Sequence, residues 1–452
     1  MPENMAIENR VNNKPFQSSN DYIIKNAEVT NDNGTIVEIA NLIAQLEIYE
    51  NIERPFLTGR IMVRDDANFI DGISFNGTER CRIVIEQPLT DGLSIELNFI
   101  LRKIDAVRKV NDQTEIISIS LLEESAFNSQ LRKLSKSYTG NPETIIEKIF
   151  ADSNLSLDMP KISSAQSEQI KYLIPNLTAF QAADTLKSRA STDNGMPFFL
   201  FKTMNEPNIK FQSLEEIMAT PPWNENKPYR FSQAFTNHAL NLTKEELSYI
   251  VEKFSYATRD DVMTLVEAGA VTGNVDMIDL TSGVKETFTF NAQDMFQRLY
   301  DANILSSGEV PVLSSAYKND YIDLTNAKSI NISRVIMNST YNDYKNLFQE
   351  ETAAAFKLDV VRRALNNLLF KNSISITVPG VHYLTGVNKS IGTQINFFYH
   401  NNDSTVMDDL ASEEELKDKK RSGKYVIYAA RHLFVMNKHT VDLQAVKLGT
   451  EK

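Results

Sequence analysis

The chain has 452 residues and a mass of 51.2 kDa, and at roughly 150 residues per domain that length suits about three domains. Apolar residues make up 42% and charged residues 23%, which excludes wholesale disorder. Acidic residues outnumber basic ones 59 to 47, a net −12 that argues against a nucleic-acid clamp built on clustered Lys and Arg.

The lone cysteine, Cys81, excludes an internal disulfide and every multi-cysteine metal site. The opening MPENMAIENRVNNKPFQSSND is polar and lacks the apolar core of a secretory signal, and no run approaches 18 consecutive apolar residues. The expectation is a soluble protein made in the cytoplasm, with residues 1–20 as a flexible N-terminal arm.

Residues 21–125 read as a first β tube domain. Leu42, Ala44, Leu46 and Ile48 alternate with polar neighbours, as do Leu57–Gly59–Ile61–Val63, Cys81–Ile83–Ile85, Ile95–Leu97–Phe99–Leu101 and Ile117–Ile119–Leu121. Asn33-Gly34, Asn76-Gly77 and Asp91-Gly92 fall between these runs and predict tight turns.

Residues 126–225 read as an inserted helix-plus-hairpin domain. Asn141-Pro142-Glu143 opens a helix with Ile145, Ile146, Ile149 and Phe150 as its apolar stripe. Thr178 with Gln181 forms a capping box for a second helix that buries Phe180, Ala183, Leu186 and Ala190. Strands follow at Pro197–Lys202 and Asn208–Gln212, and Pro221 to Pro228, with the only Trp, reads as an exit linker.

Residues 226–350 form an α+β middle region containing part of the tube domains. It holds a strand from Leu247 to Tyr256, a helix with Val262, Leu265 and Val266 inward, and a helix capped by Asn291 carrying Met295, Phe296 and Leu299. Residues 351–452 read as a second β tube domain. A helix from Thr352 to Phe370 turns Lys357, Asp359, Arg362 and Arg363 away from its apolar face. Strands follow at Ile374–Val378, Ile395–Tyr399 and Val426–Phe434, with a long charged loop over 403–423. The fold class is therefore mainly β with an α+β insertion: two barrel-like antiparallel tube domains plus helix-containing domains.

Motifs for chemistry are missing. There is no GxSxG, GxxxxGK[ST], HExxH or GxGxxG, and no catalytic, cofactor-binding or metal residue is assigned. His238, His382, His400, His432 and His439 make no close pair on a helix, and His432, alternating with Ala430 and Phe434, reads as a core or interface histidine. Cys81 reads as a small buried apolar residue. In the acid pairs Asp65-Asp66, Glu123-Glu124, Glu215-Glu216 and Glu245-Glu246, strand neighbours would point to opposite faces and make poor cooperating carboxylates, so the pairs read as solvated surface charge. A particle-associated hydrolase for cell wall or glycan, using dispersed carboxylates, is the alternative. Arg60, Arg64, Arg80, Arg82, Arg102, Lys103, Arg108 and Lys109 concentrate basic charge in the first region, as a contact face for an acidic partner or as an ordinary polar face.

Four stretches in order carry a family resemblance: Leu46 to Asp71 (LEIYENIERPFLTGRIMVRDDANFID), Asn176 to Ile217 (NLTAFQAADTLKSRAS, then PFFLFKT and IKFQSLEEI), Ile374 to Tyr399 (ISITVPGVHYLTGVNKSIGTQINFFY) and Ser422 to Phe434 (SGKYVIYAARHLF). Together they resemble the baseplate central hub of contractile-tailed, T-even-like bacteriophages, and are similar to the hub half of type VI secretion spike proteins. The resemblance implies a homotrimer in which two similar β modules per chain make a ring of six roughly equivalent units. It implies a virion protein of the tail baseplate, without enzymatic activity or cofactor. Its partners would be a central spike protein, tail tube or tube-initiator proteins, the tape measure protein and surrounding baseplate wedge proteins. DNA would pass through the channel without specific binding, and no membrane insertion is implied. The hub of a related injection or secretion machine is the near alternative. Gly380 and Gly386 are expected in turns of the second β module, with Gly380→Val disruptive through backbone strain.

Overall fold

The computed structural model describes residues 20–66, 68–87, 94–158, 170–231, 243–258, 262–267, 272–279, 285–311, 331–336, 361–367, 372–386, 389–400 and 417–451. The arm up to residue 19, the turn at Asp91-Gly92 and the loop over 403–416 lie outside them.

The first region forms seven strands: β1 (Ile23–Thr30), β2 (Ile36–Glu38), β3 (Ile43–Asn51), β4 (Thr58–Asp65), β5 (Arg80–Glu86), β6 (Ser94–Asn111) and β7 (Thr114–Glu123). Their alternation buries Leu46, Ile48, Ile61, Val63, Cys81, Ile83, Leu97, Phe99, Ile117 and Ile119 in one core. One expected position differs. A bulge between Ile43 and Gln45 interrupts β3, so Ala44 is exposed and the period restarts at Leu46. Gly34 and Gly77 take positive φ of 77° and 93° in the predicted turns.

The inserted unit carries the small strands β8 (Ser137–Gly140), β9 (Leu157–Asp158), β10 (Ile170–Leu173), β11 (Phe198–Phe201) and β12 (Ile209–Ser213). The helices Pro142–Asp152 and Ala179–Lys187 pack over them, the second with its Thr178–Gln181 capping box formed. Ile145, Ile149, Phe150, Ala183, Leu186 and Phe211 make a separate core. The segment read as an exit linker is docked instead. Asn224 donates through Nδ2 to the Asn396 carbonyl, and its Oδ1 accepts from the Asn396 N–H.

The remaining strands are β13 (Tyr229–Phe231), β14 (Lys253–Thr258), β15 (Gly273–Asp279), β16 (Lys285–Phe290), β17 (Glu309–Pro311), β18 (Asn331–Ile336), β19 (Asn372–Pro379), β20 (Gln394–Tyr399), β21 (Gly423–Val435), β22 (Lys438–Val446) and β23 (Gly449–Glu451). The strand expected from Leu247 begins only at Lys253, because Thr243 and Glu246 close a capping box that makes Lys244–Leu247 a helical turn. Of the helix expected over 352–370 only 361–367 is described. There Val361 and Leu365 seat it so deeply that Arg362, expected outward, is only 8% exposed.

The protein is mostly β, and its two strand-rich halves join in one large sheet. The sheet has 13 strands, runs β14-β19-β22-β21-β3-β4-β7-β6-β5-β1-β2, and carries a side branch of β20 and β13 on β21. Every pairing in it is antiparallel except β13 with β20.

Within this order lies a duplication. The run β5-β6-β7-β4-β3 is followed by β20-β21-β22-β19-β14, with β20 on the branch. In chain order the first set is β3, β4, β5, β6, β7 and the second β14, β19, β20, β21, β22. Each set is thus threaded through the sheet in the same permutation. Registers match too: the ladder Ile48–Gly59–Leu121–Leu101 in the first corresponds to Tyr256–Ile374–Ala445–Ile427 in the second. Both long strands are bulged just beyond that rung, at Leu101/Lys103 and at Ile427/Ala429. Just short of the bulge, Leu101 N–H donates to the Glu79 carbonyl at 2.9 Å and Ile427 N–H to that of Thr393 at 3.0 Å. The two units stand head to tail, since β6 and β21 run the same way with three antiparallel strands between them.

Candidate functional site

The two units meet where β21 pairs β3, with Arg431 opposite Tyr49, His432 opposite Ile48 and Phe434 opposite Leu46. This seam is the site best defined by the fold. On its outer face Arg431 reaches Glu47 on β3 at 2.7 Å and Asp442 on β22 at 3.4 Å. Asp442 also accepts from the Thr377 hydroxyl on β19 at 2.6 Å. Burial would raise the Glu47 carboxyl, but hydrogen bonds from Tyr49 and Arg431 outweigh it and hold the group below the usual range.

Beneath the seam the polar groups are closed in. Glu50, His432 and His439 are all essentially buried. The Glu50 carboxylate accepts from the Met204 N–H and the Ser390 hydroxyl, and lies 3.6 Å from His432 Nε2. His432 Nδ1 and His439 Nε2 are 3.3 Å apart, across the β21–β22 hairpin. Burial, with His432 alongside, drives His439 well below an ordinary histidine value. The core placement expected for His432 is what the fold shows. The pairing with His439 escaped the sequence because it comes from hairpin register rather than helical spacing. His382 packs at a tilt against Tyr249 and Trp223 near Ser248, and burial, then Lys389, lowers it to about 4.

The eight basic residues divide. Arg60, Ser120 and Lys103 form one cross-strand row on β4, β7 and β6, and Arg64, Ile116 and Arg108 another, so four cations share the outer face. Arg80 pairs with Glu124 at 3.3 Å and Arg82 with Glu96 at 2.8 Å. Arg102 sits in the β6 bulge, and Lys109 lies opposite Glu115.

The acid pairs are not simply solvated. Asp65 accepts from the Phe69 N–H at 2.8 Å, Glu216 and Glu246 complete capping boxes, and buried Glu123 holds the Leu57 N–H and Lys202. Each pair therefore has a member used in local structure, a role that strand alternation alone does not reveal. A cleft of about 830 Å³ runs between β6 and the inserted unit, bordered by Asn98, Glu123, Arg132 and Asn205. Cys81 is buried, which pushes its thiol to about 12, so it stays protonated and unreactive. Gly380 has a φ of −79°, so backbone strain is not its constraint. A Cβ there would stand 2.0 Å from His439 Nδ1, and one at Gly386 2.3 Å from Lys389 Cδ. Among the described residues no three His, Cys, Asp or Glu are grouped to hold a metal, and no helix is long and apolar enough to cross a membrane.

No protein-family model and no curated protein matches the chain. Solved structures do. A tail protein from Neisseria meningitidis MC58 matches with a TM-score of 0.51 at 12% identity, over 94% of this chain and 97% of that one. The 43 kDa tail protein of prophage MuSo2 from Shewanella oneidensis follows at 0.47 and 10%, over 93% and 98%. A chain of the lidded Francisella PdpA–VgrG complex gives 0.43 and 12%, over 98% of this chain and 53% of that one. The first of these establishes a shared fold with that tail protein.

Proposed function

We propose that the chain is the central hub of a contractile tail baseplate, or of a closely related injection machine. Three copies form a ring that joins a six-fold tube to a three-fold spike and surrounds a channel. The observation that carries this reading is the head-to-tail duplication within one continuous sheet. Two similar units in series, repeated by a three-fold axis, place six nearly equivalent units around a bore. Such a duplication is what lets three chains face a six-fold partner.

The net charge of −12 suits the role, since a basic bore would retain passing DNA. The four cations on the outer face of β4, β7 and β6 fit contact with an acidic neighbour in the baseplate, and the fold shared with a tail protein fits a place in the virion. Native mass measurement tests the reading: a trimer of 51.2 kDa chains is expected, and a persistent monomer in the presence of its spike and tube partners overturns it.

A further inference from the structure

The duplication makes a sharper statement than the number of copies. In the second unit the long strand β21 uses one edge twice. Its start, Gly423–Val426, pairs β20, and its far half, Ala429–Val435, pairs β3 of the preceding unit. The matching strand of the first unit is β6, and its start, Ser94–Ile100, pairs β5 in the same way. Its far half, from Lys103 to Asn111, pairs β7 on one side and no strand on the other among the described residues. At the opposite end of the sheet, β14 pairs β19 and likewise has one edge without a strand partner among them. β14 is the counterpart of β3. The chain thus carries both halves of its own internal seam once more, on β6 and β14, without a strand partner among the described residues.

Side chains agree with the backbone. Val107 lies opposite Ile117 and holds the position of His432, which lies opposite Val441. Tyr256 lies opposite Ile374 and holds the position of Ile48 opposite Gly59. At the formed seam His432 and Ile48 are paired and both 0% exposed. Val107 and Tyr256 are 53% and 43% exposed, among the few large apolar side chains left in solvent. Two core-facing positions stand uncovered where the duplicated counterpart is sealed.

We propose that the far edge of β6 in one copy pairs antiparallel with β14 of a second copy, with Val107 opposite Tyr256. The contact repeats the β21–β3 seam between chains. It rests on the ring reading above and gives that ring its intermolecular joint: three internal seams alternate with three external ones, and the far edge of β6 and the edge of β14 are both used. The three bulges of β6, and its charged Lys103, Asp105, Arg108 and Lys109, keep this long edge from pairing with an arbitrary strand until the matching one is presented.

Directly opposed residues on antiparallel strands have Cα atoms about 4.5–5.5 Å apart, within disulfide range. The chain's only cysteine, Cys81, is buried, so introduced thiols report cleanly. Val107→Cys and Tyr256→Cys in one chain, under mild oxidation, should give a covalent species of three chains on a denaturing gel without reductant. Mixing the two single variants should give only covalent pairs. Val110→Cys with Tyr256→Cys, out of register, should stay uncrosslinked. A native trimer in which the first double variant does not crosslink overturns the proposed seam while leaving the trimer intact. A chain that stays monomeric overturns both. Amide hydrogen exchange on the unmodified protein gives a second reading: β14 should slow at least tenfold on trimer formation, and unchanged exchange there refutes the joint.

Discussion

Arg431 on β21 clasps Glu47 on β3 at 2.7 Å, an ion pair that crosses the line where the two β units join. The carboxylate is nearly buried, and the guanidinium is 40% exposed. Removing the cation leaves a buried acid with fewer partners, so Arg431→Ala should cost about 1–2 kcal/mol, more than a surface pair gives. Urea unfolding checks it, and a loss no larger than that of Lys136→Ala, whose partner Asp152 is exposed, would show that the clasp is incidental.

Because the Glu47 carboxyl is held below its usual range, it stabilises the fold above the pH at which a free glutamate ionises. That contribution disappears as pH falls through the depressed value. The stability gap between the parent and Glu47→Gln should therefore be full at pH 7 and shrink below pH ~4. A gap that does not change with pH would exclude ionisation as its source.

The histidines act in the same direction at higher pH. His439 and His382 are kept neutral by burial, His382 down to about 4, whereas both take up protons in the unfolded chain below pH ~6.5. Acid therefore favours unfolding, by roughly 1 kcal/mol per pH unit for each group between its unfolded and folded values. Denaturation midpoints measured from pH 7 to pH 5 should fall in the parent and fall less steeply in His439→Phe, which can stack on Phe434 as the imidazole does. Equal slopes would remove His439 from the account.

Gly380 tests packing rather than conformation. Its Cβ would collide with the His439 ring, so Gly380→Ala alone should cost about 1–3 kcal/mol, the range of an overpacked core. Pairing it with His439→Ala should restore part of the loss, read as a double-mutant cycle in urea. Additive losses would contradict the contact.

Much of this fold is legible in the sequence. Strands with one buried face, such as Cys81–Ile83–Ile85 and Val426–Phe434, announce themselves by their period of two, and Thr178–Gln181 by its cap. Where the reading slipped, a local device was responsible: the bulge at Ala44, the capping box that turns Lys244–Leu247 into helix, the depth at which Arg362 lies. The seam is a different matter. Glu47 and Arg431 are 384 residues apart, and nothing in either neighbourhood states which strand edge meets which. The duplication is hidden for the same reason: it lies in strand order and register, not in repeated letters.

Electron microscopy of the purified assembly tests the central claim most directly. Three-fold averaged projections down the axis should show an annulus of six similar lobes around an open bore. A closed particle, or three lobes with no matching intermediates, would contradict the reading of the paired β units as a hub.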